Sequence, residues 1–595
     1  MIEVVAMKKY YNKIIALLLT VIALAGCKKY EQFPVDKVTS NYIFDPLDSA
    51  GANAQSFLYG IYAIVKNGHN RVGGDYLDAA SDDAVSSKSG IPAVKVISTD
   101  AFTAFNFPAP ENQWEGTNLT KDPTSTGTPD SYWAGIRNAN IFINNIDVVP
   151  VVPPKGSQSN GIPVHTTWKC EARFLRAYFY FELVKRYGGV PLLGNKVFNI
   201  NDNIALPRSS FADCIKYITS ECDAIKDSLI TTAATDADTY RVTKGAALAL
   251  KARALLYAAS PLFNGGNIDP ANALTGYPNF DATRWQQAAD AFQAVMNLNT
   301  YKLNSSFKDI FLVQRNPELI FVQPGSNTSN IETTNGPVGF SAGGTGNTSP
   351  TQELVDAFPM QNGLPITDPA SGYDPNDPYS ILAAQKRDPR LTATIFYNGA
   401  PWLNSTVQTF EGGQSKPNTG VQQTLTGYYM RKFMGNFETA TNYSSHPSDW
   451  VIMRYAEILL GFAEARNEVE SSPQADVYQQ LYAIRQRAGI DPGPSNNYGL
   501  APNMTQAQMR AVIQNEWRIE FAFEEHRYFD IRRWKLAETV MNQPRTGVSI
   551  VKTGSSLTYN KITVLNTVFK PNEYLYPIPY NEVAKNPNMK QNPGW

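Results

Sequence analysis

The stretch EWRIEFAFEEHRYFDIRRW, Glu516 to Trp534, sets Glu516, Glu520, Glu524, Glu525 and Asp530 beside Arg518, Arg527, Arg532, Arg533 and His526. Carboxylates, guanidinium groups and an imidazole at this density are what general acid–base catalysis brings together. The same residues also serve as buried ion pairs where a polar helix packs inside a fold. Spacing favours the second use. Glu516, Glu520 and Glu524 recur every four residues, and Phe523 continues the stripe of Met509, Val512 and Ile513, so carboxylates share the apolar face of one helix. Arg518, Arg527, Arg532 and Arg533 are then the expected partners, and the stretch reads as a fold signature rather than an active site.

Other motifs carry weaker chemistry. Gly339-Phe340-Ser341-Ala342-Gly343 has the GxSxG form, but a nucleophile elbow needs a strand before it and a helix after it, and both flanks here are Gly-, Asn- and Thr-rich. GGVPLLGNK (188–196) falls short of a phosphate loop because Asn195 intrudes and Val197 stands where Ser or Thr is needed. It reads better as a helix end, with Gly188-Gly189 closing and Pro191 blocking resumption. YDPNDP (373–378) lacks the full calcium-loop pattern and reads as a solvated turn. Four scattered histidines without HExxH, and no CxxC, point to no metal or cofactor. Asp82-Asp83 is the best loop pair of acids. Adjacent side chains diverge, which suits a hydrogen-bond clamp on hydroxyls better than an acid–nucleophile pair; plain exposed loop acids are the other reading.

These residues are positioned by a chain whose clear periodicity is helical. Helices are expected at about 48–66, 130–147, 166–187, 209–230, 242–260, 283–298, 449–470, 475–488 and 505–540. Several alternate Ala with Leu and aromatics at three- and four-residue spacing, so that helices approach closely. Glu171 and Lys244 begin two such helices, a separation near two tetratricopeptide repeats. Ser349-Pro350-Thr351-Gln352 supplies an N-cap, a proline at the first helical position and a capping-box Gln. Long Gly-, Pro-, Asn- and Ser-rich loops are expected at about 67–129, 150–165, 264–282, 324–348, 361–448 and 541–595. A helical scaffold with elaborate loops is a binding layout.

Lys8, Lys9 and Lys13 precede the apolar run Ile14 to Ala25, a secretory leader too short to span a bilayer. Leu24-Ala25-Gly26-Cys27 is similar to a bacterial lipobox, in which Cys27 becomes the first residue and carries acyl chains. Cys214 and Cys222, eight apart on one helix, stand about 12 Å apart, too far for a disulfide. A net charge of −1 with no lysine block excludes nucleic acid as a natural partner. The 31 tyrosines suit polar-ligand surfaces as well as core filling.

Six blocks carry a family resemblance: EARFLRAYFYFELVKRYGGVPLL (171–193), RVTKGAALALKARALLYAASPLFN (241–264), KRDPRLTATIFYNG (386–399), RYAEILLGFAEARNE (454–468), RIEFAFEEHRYFDIRRW (518–534) and YLYPIPYNEVAKNPNMKQNPGW (574–595). Together they resemble the SusD/RagB lipoproteins. The resemblance implies a mainly α fold with tetratricopeptide-like helix pairs, long irregular loops and minor β structure. It implies a leader at 1–26, a lipidated tether at 27–45, an N-terminal region at 46–315 and a C-terminal region with binding loops at 316–595. The implied role is a lipoprotein on the outer face of the outer membrane that captures an oligosaccharide and passes it to a SusC-like TonB-dependent transporter. The alternatives are a lipid-anchored glycosidase or esterase, and a structural transporter lid with no ligand site of its own.

A sugar offers a face of C–H groups and a rim of hydroxyls, which flat aromatics and polar side chains grip. Trp133, Trp168, Trp285, Trp450, Trp517 and Trp534 fall in or beside expected helices and Trp595 in the family-like tail, leaving Trp114 and Trp402 in loops. Trp114 shares its loop with Tyr76, Asp78, Asp82 and Asp83; Trp402 follows Tyr373 and Tyr379. The expected glycan contacts are therefore Trp114, Trp402, Tyr76, Asp82, Asp83 and Tyr373, in the two loop regions where the resemblance also places the site.

Overall fold

A computed structural model describes residues 40–116, 130–152, 161–199, 201–232, 238–379, 386–418 and 420–595. The leader, Cys27 and the tether as far as residue 39 lie outside the described residues. Among the described residues the longer helices are α1 (Ala52–Tyr62), α2 (Tyr132–Asn145), α3 (Val164–Tyr187), α4 (Phe211–Ile225), α5 (Lys244–Ala259), α6 (Thr283–Met296), α7 (Tyr455–Val469), α8 (Ala475–Ala488), α9 (Gln506–Glu520) and α10 (His526–Arg533). From α2 to α8 each helix packs on the next, and α9 also packs on α7. No helix among them is long and apolar enough to cross a membrane.

Small residues bring the helices together. A Cβ on Gly135 of α2 would sit 2.5 Å from the Phe179 ring of α3, and one on Gly461 of α7 would sit 2.2 Å from Phe292 of α6. Only glycine permits these approaches. Ser131, Ser210 and Thr243 cap α2, α4 and α5 through backbone N–H groups three residues on, and Thr505 with Gln508 makes a full capping box on α9.

Strands occur as antiparallel pairs: β1 (Ala84–Ser86) with β3 (Thr348–Pro350), β2 (Leu319–Gln323) with β8 (Trp450–Arg454), β4 (Ile395–Phe396) with β7 (Tyr429–Met430), β5 (Pro401–Trp402) with β6 (Ser405–Thr406), and β9 (Pro544–Thr553) with β10 (Ser556–Asn566). The first three pairs join segments distant in sequence and tie the loops to the helices.

Five expectations change. The helix expected at 449–470 begins as β8, because Trp450–Arg454 pairs with β2 across the chain. Ser349 and Pro350 belong to β3, and Thr351 is the N-cap of helix Gln352–Ala357, accepting from Leu354 N–H. The stretch 541–595 carries the β9–β10 hairpin rather than loop alone. The helix expected at 505–540 stops at Glu520: Phe523 and Glu525 adopt left-handed φ of 63° and 62°, so Phe523 does not continue the stripe. The buried Asp78 carboxylate holds this break by accepting from Phe523 N–H and Glu525 N–H, at 3.0 and 3.4 Å. Lys244 opens α5 as read, whereas Glu171 lies inside α3 and is bonded to Tyr62 and Arg241.

Candidate functional site

The expected loop contacts are mostly interior. Trp402 is fully buried, edge-on to Phe396 with ring centroids 4.8 Å apart, and its Nε1–H donates to Tyr443. Trp114 is buried against Trp133 and Tyr187, each at 5.2 Å. The Tyr76 ring stacks on Phe433, and its hydroxyl lies 2.7 Å from His69 Nδ1. Asp82 meets Arg527 through both oxygens at 2.8 Å and Arg518 at 2.9 Å; Asp83 accepts from Arg518 Nε at 2.7 Å. Burial pushes the Asp82 carboxyl up, but Arg518 and Arg527 outweigh it and hold it well below the carboxylate range. Tyr373 alone among the six keeps a half-exposed ring, with Arg387 above it at 5.4 Å. This corrects the expectation that loop position leaves Trp114, Trp402, Tyr76, Asp82 and Asp83 facing solvent. The loop around 75–116 folds inward because its acids answer the arginines of 516–534 and its aromatics complete the core.

His69 sits between Tyr76, Phe433 and Trp450, and burial pushes its protonation from 6.5 down to about 4. Between those values the unfolded chain takes up a proton that the folded ring refuses, so this group lowers stability as pH falls through 6.5 towards about 4. The stability gap between wild type and His69→Gln, from urea unfolding, is expected to be smaller at about pH 5 than at about pH 7. An equal gap at both would mean that the ring protonates freely in the folded protein.

Asp530 pairs with Arg533 of the same stretch at 2.7 Å, but Glu516, Glu520 and Glu524 find their partners elsewhere in the chain. Glu516 binds Arg390 at 2.7 Å and Arg485 at 3.0 Å; Glu520 binds Arg390 at 3.0 Å, Arg454 at 2.7 Å and Arg487; Glu524 binds Arg454 at 2.8 Å and Lys432 at 2.7 Å. Glu318 and Asp388 close the network through Arg454, Arg487 and Arg390. Arg518 and Arg527 reach out to Asp82 and Asp83, Arg533 reaches Glu464, and Arg532 lies over the Tyr528 ring. A void of about 60 Å³ beside Arg186, Glu182 and His526 has room for about two waters and no sugar. Ser341 occupies an exposed turn that no strand enters and no helix leaves. YDPNDP forms a turn in which Asp374 accepts from Asn376 N–H at 2.8 Å.

A cavity of about 470 Å³ opens where this network meets the loops. That is within the usual range for small-molecule sites. Phe396 and Tyr397, at and after β4, and Ala400 and Pro401, on the turn into β5, line it. Arg390 and Arg487 bring the buried network to its wall, and Lys308, Arg431 and Glu438 complete it. Arg431 is held by the carbonyls of Met434 and Gly435, at 2.9 and 3.0 Å, and its guanidinium lies over Trp402 at 4.7 Å. Trp402 is therefore the pedestal of a cavity residue. Glu438 receives both Arg431, at 2.8 Å, and Lys308, at 3.0 Å. Burial raises the Glu438 carboxyl, and the two cations, led by Arg431, bring it down to about 2. Sequence reasoning missed Lys308, Tyr397, Arg431 and Glu438. The one available signal was FYNGAP before Trp402, which supplies Tyr397 and Ala400. A second cavity, of about 720 Å³, lies among α5, α7 and α9 beside the exposed Phe280; its Arg510 and Glu468 pair with each other at 2.5 Å.

A model of the SusD family matches residues 317–595, and a model described as starch-binding associating with outer membrane matches residues 75–256. SusD-like protein P2 of Formosa agariphila is 31% identical over 159 residues, and the match spans only 27% of each chain. SusD-like protein P38 of the same organism is 23% identical over 486 residues, 78% of each chain. A crystal structure of a SusD-like protein from Bacteroides fragilis matches with a TM-score of 0.73 at 25% identity, covering 94% of this chain and 100% of that one.

Proposed function

Since the chain belongs to the SusD family, we propose that it binds an oligosaccharide in the 470 Å³ cavity and passes it to a SusC-like TonB-dependent transporter without chemical turnover. The observation that carries the reading is the cavity itself: an aromatic and proline wall, Phe396, Tyr397 and Pro401, facing the convergent charges of Lys308, Arg431 and Glu438. A sugar's C–H face fits the wall and its hydroxyl rim fits the charged groups. Acylated Cys27 would tether the domain to the outer face of the outer membrane. The 720 Å³ cavity, whose only lining cation among the described residues, Arg510, is paired with Glu468, is the alternative location.

A glycan array with the lipid-free protein, followed by calorimetric titration of the hits, tests this. Binding is expected to weaken in Tyr397→Ala and to persist in Phe280→Ala. Loss only in Phe280→Ala would move the site to the other cavity; release of shorter sugars during incubation would sink the binding-only reading.

A further inference from the structure

We infer that the saccharide held in this cavity carries an anionic group, a carboxylate or a sulfate ester, seated against Lys308 and Arg431. The inference rests on the cavity being the glycan site. Four of the charged side chains that line it are cations, Lys308, Arg390, Arg431 and Arg487, and Glu438 is the single acid. Arg390 and Arg487 are neutralised from behind by Asp388, Glu516, Glu520 and Glu318. Lys308 and Arg431 share the Glu438 carboxylate through one oxygen, and the buried Glu332 also acts on Arg431, ranking below Glu438.

The remaining donors point the same way. An ammonium has three N–H groups, and Lys308 spends one on Glu438. Arg487 is almost fully buried on its side chain, and its Nε finds no protein acceptor. A carboxylate or sulfate supplies charged acceptors to these spare donors, and hydrogen bonds to an ionised acceptor are stronger than those to a neutral hydroxyl. Glu438, about one-third exposed, is the internal competitor that such a group displaces. Asp309, next to Lys308, is the other acid acting on this ammonium, and its effect ranks below those of Arg431 and Glu438.

Titration of an oligogalacturonide, a sulfated galactan oligosaccharide and a neutral β-glucan oligosaccharide tests this. One of the two acidic probes is expected to bind about tenfold more tightly than the neutral one. Which one it is identifies carboxylate or sulfate as the ligand group. Lys308→Gln is expected to remove most of that margin, Lys308→Arg to retain it, and Glu438→Gln to widen it. Added salt should narrow the margin in the unmodified protein, a readout that needs no variant to fold. Equal binding of acidic and neutral probes, or a margin insensitive to salt and to both charge-removing variants, overturns the acidic preference alone. Absence of binding to all three, and across the wider array, overturns the preference and the glycan reading together.

Discussion

Replacing Glu520 by alanine is expected to lower the stability of the protein by about 3–5 kcal/mol, because it breaks a buried ion network from one side. Glu520 faces Arg390, Arg454 and Arg487, and burial of those cations is tolerable only while carboxylates answer them. Burial pushes its own carboxyl up, yet these arginines, Arg487 first, hold it far below the usual range. Neighbouring Glu524 anchors Lys432, whose ammonium burial lowers to about 8. Urea unfolding of the variant measures the effect. A Glu520→Ala protein that unfolds like the wild type but fails to bind saccharide would mean that 516–534 is a ligand-contacting element after all. The network holds five carboxylates, Glu318, Asp388, Glu516, Glu520 and Glu524, against Arg390, Arg454, Arg485, Arg487 and Lys432. Such balance specifies how the strands and helices meet more than it adds net stability.

Trp402→Ala should also be a folding variant, costing about 3–5 kcal/mol. The indole is fully buried, packs on Phe396 and Phe437, and supports Arg431 from below. Because Arg431 lines the cavity, saccharide affinity is expected to fall together with stability, while Trp402→Phe, which keeps an aromatic face under the guanidinium, retains most of both. Thermal unfolding beside calorimetric titration separates the two effects. Unchanged stability with abolished binding would return Trp402 to the ligand-contacting role that its loop position suggested.

The burial of the residues expected to face solvent has a single cause. Trp114 and Trp402 lie outside helical periodicity, but burial depends on which distant segments fold over a residue. Trp114 is covered by Trp133 of α2 and Tyr187 of α3, and Trp402 by Phe437 and Tyr443. Asp82 and Asp83 look like free loop acids until the β1–β3 pairing and the left-handed break at Phe523 and Glu525 bring them to Arg518 and Arg527. Spacing showed that 516–534 needs opposite charges; it could not show that those charges sit at 318, 388–390, 432, 454 and 485–487.

Local order explains what was legible. Alanine and aromatic spacing placed α2 to α8 within a few residues, except where β8 precedes α7, because amphipathic periodicity and N-caps act within a turn or two of the chain. The family resemblance likewise lay in helical blocks whose packing demands particular residues. The cavity had no such signature. Lys308, Tyr397, Arg431 and Glu438 come from separate short elements, and each is ordinary where it stands in the sequence. The amino-acid sequence by itself determined the helical scaffold and the need for a buried ion network. Only the tertiary structure decided which loops turn inward, which cations meet which carboxylates and where a cavity opens, because long-range pairing sets burial and charge compensation.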